Sequence, residues 1–175
     1  MSYSMSRASL PALKTSLGVL SSLLDKAAAF CATKKIEDAT LLQLRLAPDM
    51  FAFVRQVQIA TDHAKNGASR LAGVEPPRYD DTETSLAQLK TRVDATINYL
   101  ETLDPKAIDA SEDREIVFAM GPNAKGRMKG DAYLAQYLLP NFYFHLTAAY
   151  AILRHNGVEI GKRDFLGAIP LEPVS

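Results

Sequence analysis

Four segments of the chain place apolar residues at alternating spacings of three and four positions. This spacing puts each set on one side of an α-helix, because 3.6 residues complete a turn. Four helices that each carry one apolar stripe bury their stripes most simply in a four-helix bundle, so the sequence predicts an all-α fold. The four stripes are Leu10, Leu13, Leu17, Leu20, Leu24, Ala27 and Cys31; Met50, Phe53, Val57, Ala60, Ala64, Gly67 and Leu71; Leu86, Leu89, Val93, Thr96, Leu100 and Leu103; and Leu139, Phe142, Leu146, Ala149 and Leu153.

The first two long helices have local start signals. The first begins near Ser9, a residue type that suits an N-cap, with Pro11 in its first turn. A short connector with helical character begins at Asp38. The second long helix begins at Pro48, with Asp49 in its first turn, where negative charge favours the helix dipole.

The second half of the chain contains two more long helices. Ser85 and Gln88 have the spacing of a capping box at the start of the third. The fourth runs from about Asp131 to Gly157, a glycine that can end a helix in the left-handed conformation. Pro140 lies inside the fourth helix and predicts a kink, because proline lacks the N–H that the helix needs.

Three stretches lie outside these helices. Residues 73–82 contain two adjacent prolines and span at most roughly 33–36 Å, so the second and third helices can be parallel. A simple antiparallel hairpin needs fewer residues but is not excluded. Residues 114–129, REIVFAMGPNAKGRMK, predict a short β-hairpin before the fourth helix. The tail, residues 158–175, is predicted to be extended, with Phe165 and Leu166 packed on the bundle.

Charge and composition exclude several classes of function. Twenty basic residues balance twenty acidic ones, so the chain lacks the net positive charge typical of nucleic-acid or membrane-surface binding. No apolar run approaches the ~20 residues of a membrane helix, and MSYSMSRASLPALK lacks a signal-peptide core. Cys31 is the one cysteine, which excludes an internal disulfide. We therefore expect one cytoplasmic domain over residues 1–175.

Two histidines fall beside the apolar stripes. His63 on the second helix and His145 on the fourth both occupy the edge of a stripe, about 21–23 Å from the start of their helices. If these helices are antiparallel, the two rings lie within one or two turns of each other. His155 lies about 15 Å further along the fourth helix, so it cannot share a metal ion with His145.

The sequence alone supports more than one role for this pair. The rings can be core histidines that bond to a backbone carbonyl or a tyrosine. They can also line a small-ligand pocket between helices, with Gln56 and Asn141 as further candidates. A metal site is a third interpretation. From Leu138 to 153 the fourth helix is apolar nearly all round, which favours cover by the tail or by a second subunit in a homodimer.

The stretches RLAPDMFAFVRQVQIATDHAK and LPNFYFHLTAAYAILRHNGVEIGKRDFLG, with RLAGVEPP between them, closely resemble domain-of-unknown-function family 1993. That family is grouped with the DinB/YfiT-like superfamily. The resemblance implies an up-down-down-up four-helix bundle, often dimeric. It also implies a divalent metal such as zinc or nickel, bound by one histidine on the second helix and an H-x-x-x-H pair on the fourth. Some superfamily members are thiol-dependent transferases or metal-dependent hydrolases.

The implied metal ligands map only in part onto this chain. His145 matches the first histidine of the H-x-x-x-H pair, but Ala149 stands at the second position, and Asn141 lies four residues before it. Either His63 or Gln56 can match the second-helix ligand. We therefore expect a homodimeric DinB-like protein with a small-ligand pocket and no complete metal triad. The alternative is a divergent metal-dependent hydrolase or thiol transferase that uses His63 and His145, with Asp49 as a further ligand.

Overall fold

A computed structural model of the protein describes residues 4–121 and 123–171. The described chain is mostly helical and carries one small antiparallel sheet. None of its helices combines the length and the hydrophobicity that a bilayer-spanning segment requires. In chain order the elements are α1 (Met5–Lys34), α2 (Asp38–Leu42), α3 (Phe53–Ala72), α4 (Leu86–Glu101), α5 (Pro105–Asp109), β1 (Glu115–Ala119), β2 (Lys125–Lys129), α6 (Gly130–Ala132), a π-helical segment (Tyr133–Leu138), α7 (Leu139–His155) and α8 (Lys162–Leu166).

The four long helices share one apolar core. Helix α1 packs against α4, and α3 packs against both α7 and α4. Every residue of the first and third predicted stripes is buried. The second and fourth stripes are buried except at Met50 and Leu139, which are half-buried. The spacing of apolar residues in the sequence therefore located the core.

Helix α3 approaches the helix that follows the hairpin closely at Gly67. A Cβ atom on Gly67 would lie 2.2 Å from Cδ1 of Leu138, a distance shorter than any ordinary contact. The small residues of the second stripe thus allow the close helix packing that brings the two histidines together.

Helix α1 begins earlier than predicted. Its N-cap is Ser4, and Ser9 lies inside the first turns, where its hydroxyl donates to the carbonyl of Met5 at 2.8 Å. Ser9 is buried, so this back-bond satisfies its hydroxyl within the helix. The prediction that Ser9 is the N-cap was wrong, because the same side chain that can cap a helix can also bond inside one.

Helix α3 begins later than predicted, at Phe53 rather than Pro48. The N–H of Phe53 donates to the carbonyl of Leu44 at 2.8 Å, and Arg45 Nη1 donates to the carbonyl of Met50 at 2.6 Å. These bonds hold residues 44–52 as a loop ahead of the helix. The predicted helix start at Pro48 was wrong for this reason.

The third long helix, α4, begins as predicted at Ser85. The Ser85 hydroxyl accepts from the N–H of Gln88 at 3.2 Å. The Gln88 side chain reaches back to the N–H of Thr84 at 2.6 Å, one residue before the position of a strict capping box. Both bonds satisfy backbone donors at the start of the helix.

The fourth helical run also follows the prediction, with a change of pitch before its proline. It starts at Gly130 and winds as a π-helix over Tyr133–Leu138. The N–H of Leu139 donates to the carbonyl of Leu134, five residues earlier, and the π-helical segment ends two residues before Pro140, which lacks an N–H. At the far end Gly157 has φ 94° and Val158 N–H donates to the Leu153 carbonyl at 3.1 Å, which forms the predicted C-terminal cap.

The predicted hairpin is present as β1 and β2. The strands pair antiparallel with Glu115 opposite Lys129 and Ala119 opposite Lys125. Alternate residues of β1, Ile116 among them, are buried against the helices. The hairpin therefore covers one side of the fourth helical run. The turn position 122 lies outside the described residues.

The tail is not wholly extended, because α8 interrupts it. The Asp164 carboxylate accepts from the N–H of Gly161 at 2.7 Å and pairs with Lys26 of α1 at 2.6 Å, which fixes this turn on the bundle. Phe165 packs edge-on against Tyr150 as predicted, with ring centroids 5.4 Å apart. Leu166 is largely exposed, contrary to the prediction. Residues 172–175 of the predicted tail lie outside the described residues.

The connection between α3 and α4 is fastened by one buried arginine. Only 3% of the Arg92 side chain is exposed. It donates to the Thr61 hydroxyl at 2.7 Å, to Glu83 at 2.9 Å, to the Asp80 carbonyl at 3.1 Å and to Asp62 at 2.9 Å. These bonds tie the extended connection to both helices.

A buried lysine completes this fastening. Lys65 on α3 donates to the carbonyl of Pro77 at 2.7 Å, and its ammonium lies 4.4 Å from the ring centroid of Tyr79. The proline-containing connection is thus held along its length by charged side chains that α3 and α4 supply.

Candidate functional site

The packing of α3 against α7 brings His63 and His145 together. Their ring centroids lie 5.7 Å apart and their planes are inclined by 15°, so the rings are stacked. His145 is buried, and His63 is half-buried. The predicted proximity of the two histidines is confirmed.

Gln56 determines which nitrogen of His145 carries the proton. The Gln56 Nε2 group donates to the carbonyl of Phe51 at 3.1 Å, so its Oε1 faces Nδ1 of His145 at 2.7 Å. An amide oxygen only accepts hydrogen bonds, and therefore Nδ1 of His145 must be the protonated nitrogen. Nε2 of the same ring then keeps a free lone pair.

Three imidazole nitrogens remain available in this cluster. Within residues 4–121 and 123–171, both nitrogens of His63 and Nε2 of His145 lack a hydrogen-bond partner. In the same residues, every side-chain nitrogen or oxygen that is shielded from solvent has such a partner. These three nitrogens therefore have access to solvent. Five grooves of about 260 to 480 Å³ on the described surface are lined by other residues, so the histidine pair lies outside them.

Both imidazoles are neutral at pH 7. Burial, the neighbouring His145 and the charge of Arg70 lower the pKa of His63 from 6.5 to about 4. Burial and the charge of Arg55 lower the pKa of His145 to about 4. His63 therefore offers one N–H donor and one lone pair at physiological pH, whereas His145, whose N–H is bonded to Gln56, offers the lone pair of Nε2.

Aromatic side chains surround the pair. Tyr137, in the π-helical segment, meets His63 edge-on with ring centroids 6.0 Å apart, and Phe144 meets His145 edge-on at 5.2 Å. Phe118 of the hairpin packs on Tyr137 at 4.2 Å. The hairpin and the π-helical segment thus form one wall beside the histidines.

Sequence reasoning missed these aromatic neighbours. Tyr137, Asn141 and His145 recur every four residues, so a stripe through His145 was the available signal for Tyr137. The π-helical pitch has no comparable signal, since it depends on how the chain accommodates Pro140.

Other candidates do not join the pair. The Asn141 side-chain amide donates to the carbonyl of Tyr137 at 2.7 Å, within its own helix. Asp49 is exposed in the loop before α3, and His155 is exposed at the end of α7. Cys31 is buried in the core, and burial and the charge of Asp38 raise its pKa, which favours an inert thiol.

A metal ion held by three side chains does not fit this donor set. Catalytic zinc sites normally use three protein ligands, whereas the cluster provides two imidazoles. Ala149 stands where a second fourth-helix ligand would be needed. In the part of the chain that the structure describes, no three His, Cys, Asp or Glu side chains are grouped in a way that would hold a metal.

The fold defines the chain as a DinB-like helical protein. It is similar to the crystal structure of a DinB family member protein from Shewanella denitrificans, with a TM-score of 0.88 and 39% sequence identity, over 97% of this chain and 95% of that one. The profile of the family described as "Domain of unknown function (DUF1993)" matches residues 5–166, so the chain belongs to that family. Among curated proteins, none matches the sequence.

Proposed function

We propose that this protein binds a small polar ligand through His63, His145 and Gln56. The observation that carries this proposal is the set of three solvent-accessible imidazole nitrogens, which the described residues leave without hydrogen-bond partners. A ligand can replace water at accessible nitrogens, so their exposure supports a binding role. Asn141 is the weakest of the four predicted pocket residues, because its amide is bonded within its own helix.

The chemistry of the pair restricts the ligand. The accessible nitrogens present one N–H donor, on His63, and two lone pairs, which suits a group that can accept and donate at once, such as a primary amide, a hydroxyl or a protonated carboxyl group. Arg55 and Arg70 lower the pKa values of the histidines through their charge, and the same positive field favours an acidic ligand.

We further propose that the protein acts as a cytoplasmic homodimer of single-domain, up-down-down-up bundles spanning residues 1–175. The exposed apolar residues on α7, such as Phe144, support the dimer. The free buried thiol of Cys31 supports a reducing compartment. The long, fastened connection between α3 and α4 supports the helix order.

A metal-dependent hydrolase or thiol transferase is the second candidate. One observation favours it: the Gln56 amide oxygen orients His145 so that Nε2 keeps its lone pair, as outer partners of metal-bound histidines do. The missing third ligand opposes this candidate, and the exposed Asp49 does not supply one.

Metal analysis and NMR separate the two candidates. Protein purified without a histidine tag is analysed for zinc and nickel, and ¹⁵N-histidine spectra are recorded with acetate, acetamide, ZnCl₂ or NiCl₂. We expect substoichiometric metal and saturable shifts of the His63 and His145 ring signals with acetate or acetamide, lost in His145→Gln. The exposed His155 is the internal control. Stoichiometric metal that disappears in His145→Ala would instead establish the metalloenzyme.

A further inference from the structure

An apolar patch lies on the outer side of α7, beside the histidine pair. It forms a shallow groove of about 380 Å³ between α7 and the loop that precedes α3. Phe144 is 58% exposed and Leu46 is 44% exposed. The patch consists of Leu46, Met50, Tyr143, Phe144, Ala148 and Ala151, with Thr147 as a polar residue in its lining.

The size of this patch matches the apolar centre of a standard dimer interface. With ~200 Å² for each large side chain, Leu46, Tyr143 and Phe144 expose on the order of 280 Å². An interface of ~800 Å² per subunit, of which ~57% is apolar, contains about 450 Å² of apolar surface. The patch therefore provides most of what one subunit needs.

The charges beside the patch allow a second copy of the same chain to bind there. Arg45 and Asp49 are both exposed in the loop that carries Leu46 and Met50, so charges of both signs lie beside the patch. A two-fold interface apposes a surface with itself, and a rim of a single sign would make two copies repel. The mixed rim removes this obstacle and favours self-association over a strongly charged partner.

The patch is joined to the histidine pair by two contacts. The Phe144 ring meets His145 edge-on, with an interplanar angle of 89°. The backbone carbonyl of Phe51, next to the patch residue Met50, accepts a hydrogen bond from Gln56, which in turn accepts from His145. A molecule bound at the patch therefore contacts Phe144, whose ring packs against His145.

We propose that a second copy of this chain docks on the apolar patch and that its surface forms one wall of the His63–His145 site. This inference rests on the homodimer of the proposed function and adds where the two subunits meet. It makes the ligand site dependent on dimerisation, because the partner covers the side of α7 on which Phe144 meets His145.

Sedimentation velocity on the full chain tests the surface, from about 1 to 500 µM protein. Phe144→Glu and Leu46→Glu each place a charge in the patch and should weaken dimerisation by roughly 100-fold. Val117→Glu is the matched control, since Val117 is 54% exposed on the hairpin. Circular dichroism and urea unfolding establish that each variant is folded. Phe144 lies on α7 and Leu46 in the loop before α3, so a local folding defect at one position would not affect the other.

Three outcomes are distinguishable. A wild-type dimer that both patch variants dissociate and Val117→Glu leaves intact, with His145 ring signals that change on dilution and His155 signals that do not, supports the proposal. A dimer that survives both patch charges overturns the docking surface and leaves the proposed homodimer standing. A wild-type monomer over the whole range overturns both, while the acetate and acetamide titrations still decide the ligand site.

Discussion

Helix α3 contributes to two buried polar clusters that differ in how completely their groups are paired. Toward α4, Arg92 donates to four partners and lies beside three carboxylates, those of Asp62, Asp81 and Glu83. Toward α7, the His63–His145 pair has one hydrogen bond, to Gln56, and aromatic neighbours.

This difference distinguishes a cluster that stabilises the fold from a proposed binding site. Burial opposes the charge of Arg92, but Glu83, Asp62 and Asp81 raise its pKa, so the cluster stays ionised and saturated. Among the residues that the structure describes, no carboxylate pairs with either histidine, and burial is the largest cause that lowers their pKa values to about 4. A saturated cluster stabilises the fold, whereas the histidine pair leaves nitrogens free for the proposed ligand.

The largest effect is expected at the saturated cluster. Arg92→Met removes the central cation and leaves buried carboxylates without their partner, which should lower the free energy of unfolding by about 3–5 kcal/mol. Urea unfolding measures the change. Lys14→Met is the control, since Lys14 lies 3.9 Å from Glu101 in an exposed pair worth about 0.5 kcal/mol or less. Similar losses in both variants would contradict the fastening role.

The histidines should make stability depend on pH in a defined window. A histidine whose pKa falls from 6.5 unfolded to about 4 folded stabilises the native state fully above pH 6.5 and loses that contribution as pH falls toward 4. For the buried His145 the loss is about 3 kcal/mol. Urea unfolding of wild type and His145→Gln from pH 7 to 4 isolates the contribution of His145, because the carboxylates titrate in both proteins. Parallel dependences of the unfolding free energy on pH would show that the pKa of His145 is not lowered.

Gln56→Leu tests the one hydrogen bond of the pair. The change leaves the Nδ1 proton of His145 and the carbonyl of Phe51 without partners, which should cost about 1–3 kcal/mol of unfolding free energy. The ring signals of His145 should change in the same variant. An unchanged His145 tautomer and an unchanged unfolding free energy would show that Gln56 neither fixes the tautomer nor stabilises the pair.

Asn141→Ala should have the smallest effect. The bond from its amide to the Tyr137 carbonyl is half-buried and local, so its loss should cost about 0.5–1 kcal/mol. The His63 and His145 ring signals should keep their response to acetate. A lost response would restore Asn141 to the ligand site.

The sequence predicted the core and the histidine pair because both depend on helix periodicity. Phe53, Val57 and Leu71 are buried where the spacing placed them, and His63 meets His145 since equal depths along packed helices bring side chains level. These predictions needed only the rise and twist of an α-helix.

Features that depend on tertiary hydrogen bonds were not predicted. The start of α3 is set by the hydrogen bond from the N–H of Phe53 to the carbonyl of Leu44. The tautomer of His145 is set by the Gln56 amide, which accepts from His145 and donates to the carbonyl of Phe51. The buried Arg92 cluster also escaped prediction, because an arginine on an amphipathic helix usually faces solvent.

An NMR titration of the histidine rings from pH 8 to 3.5 tests whether both histidines are neutral and whether Gln56 fixes the tautomer of His145. We predict midpoints near 4 for both His63 and His145, with the proton of neutral His145 on Nδ1. Midpoints at or above 6.5, or a neutral His145 ring protonated on Nε2, would contradict these assignments.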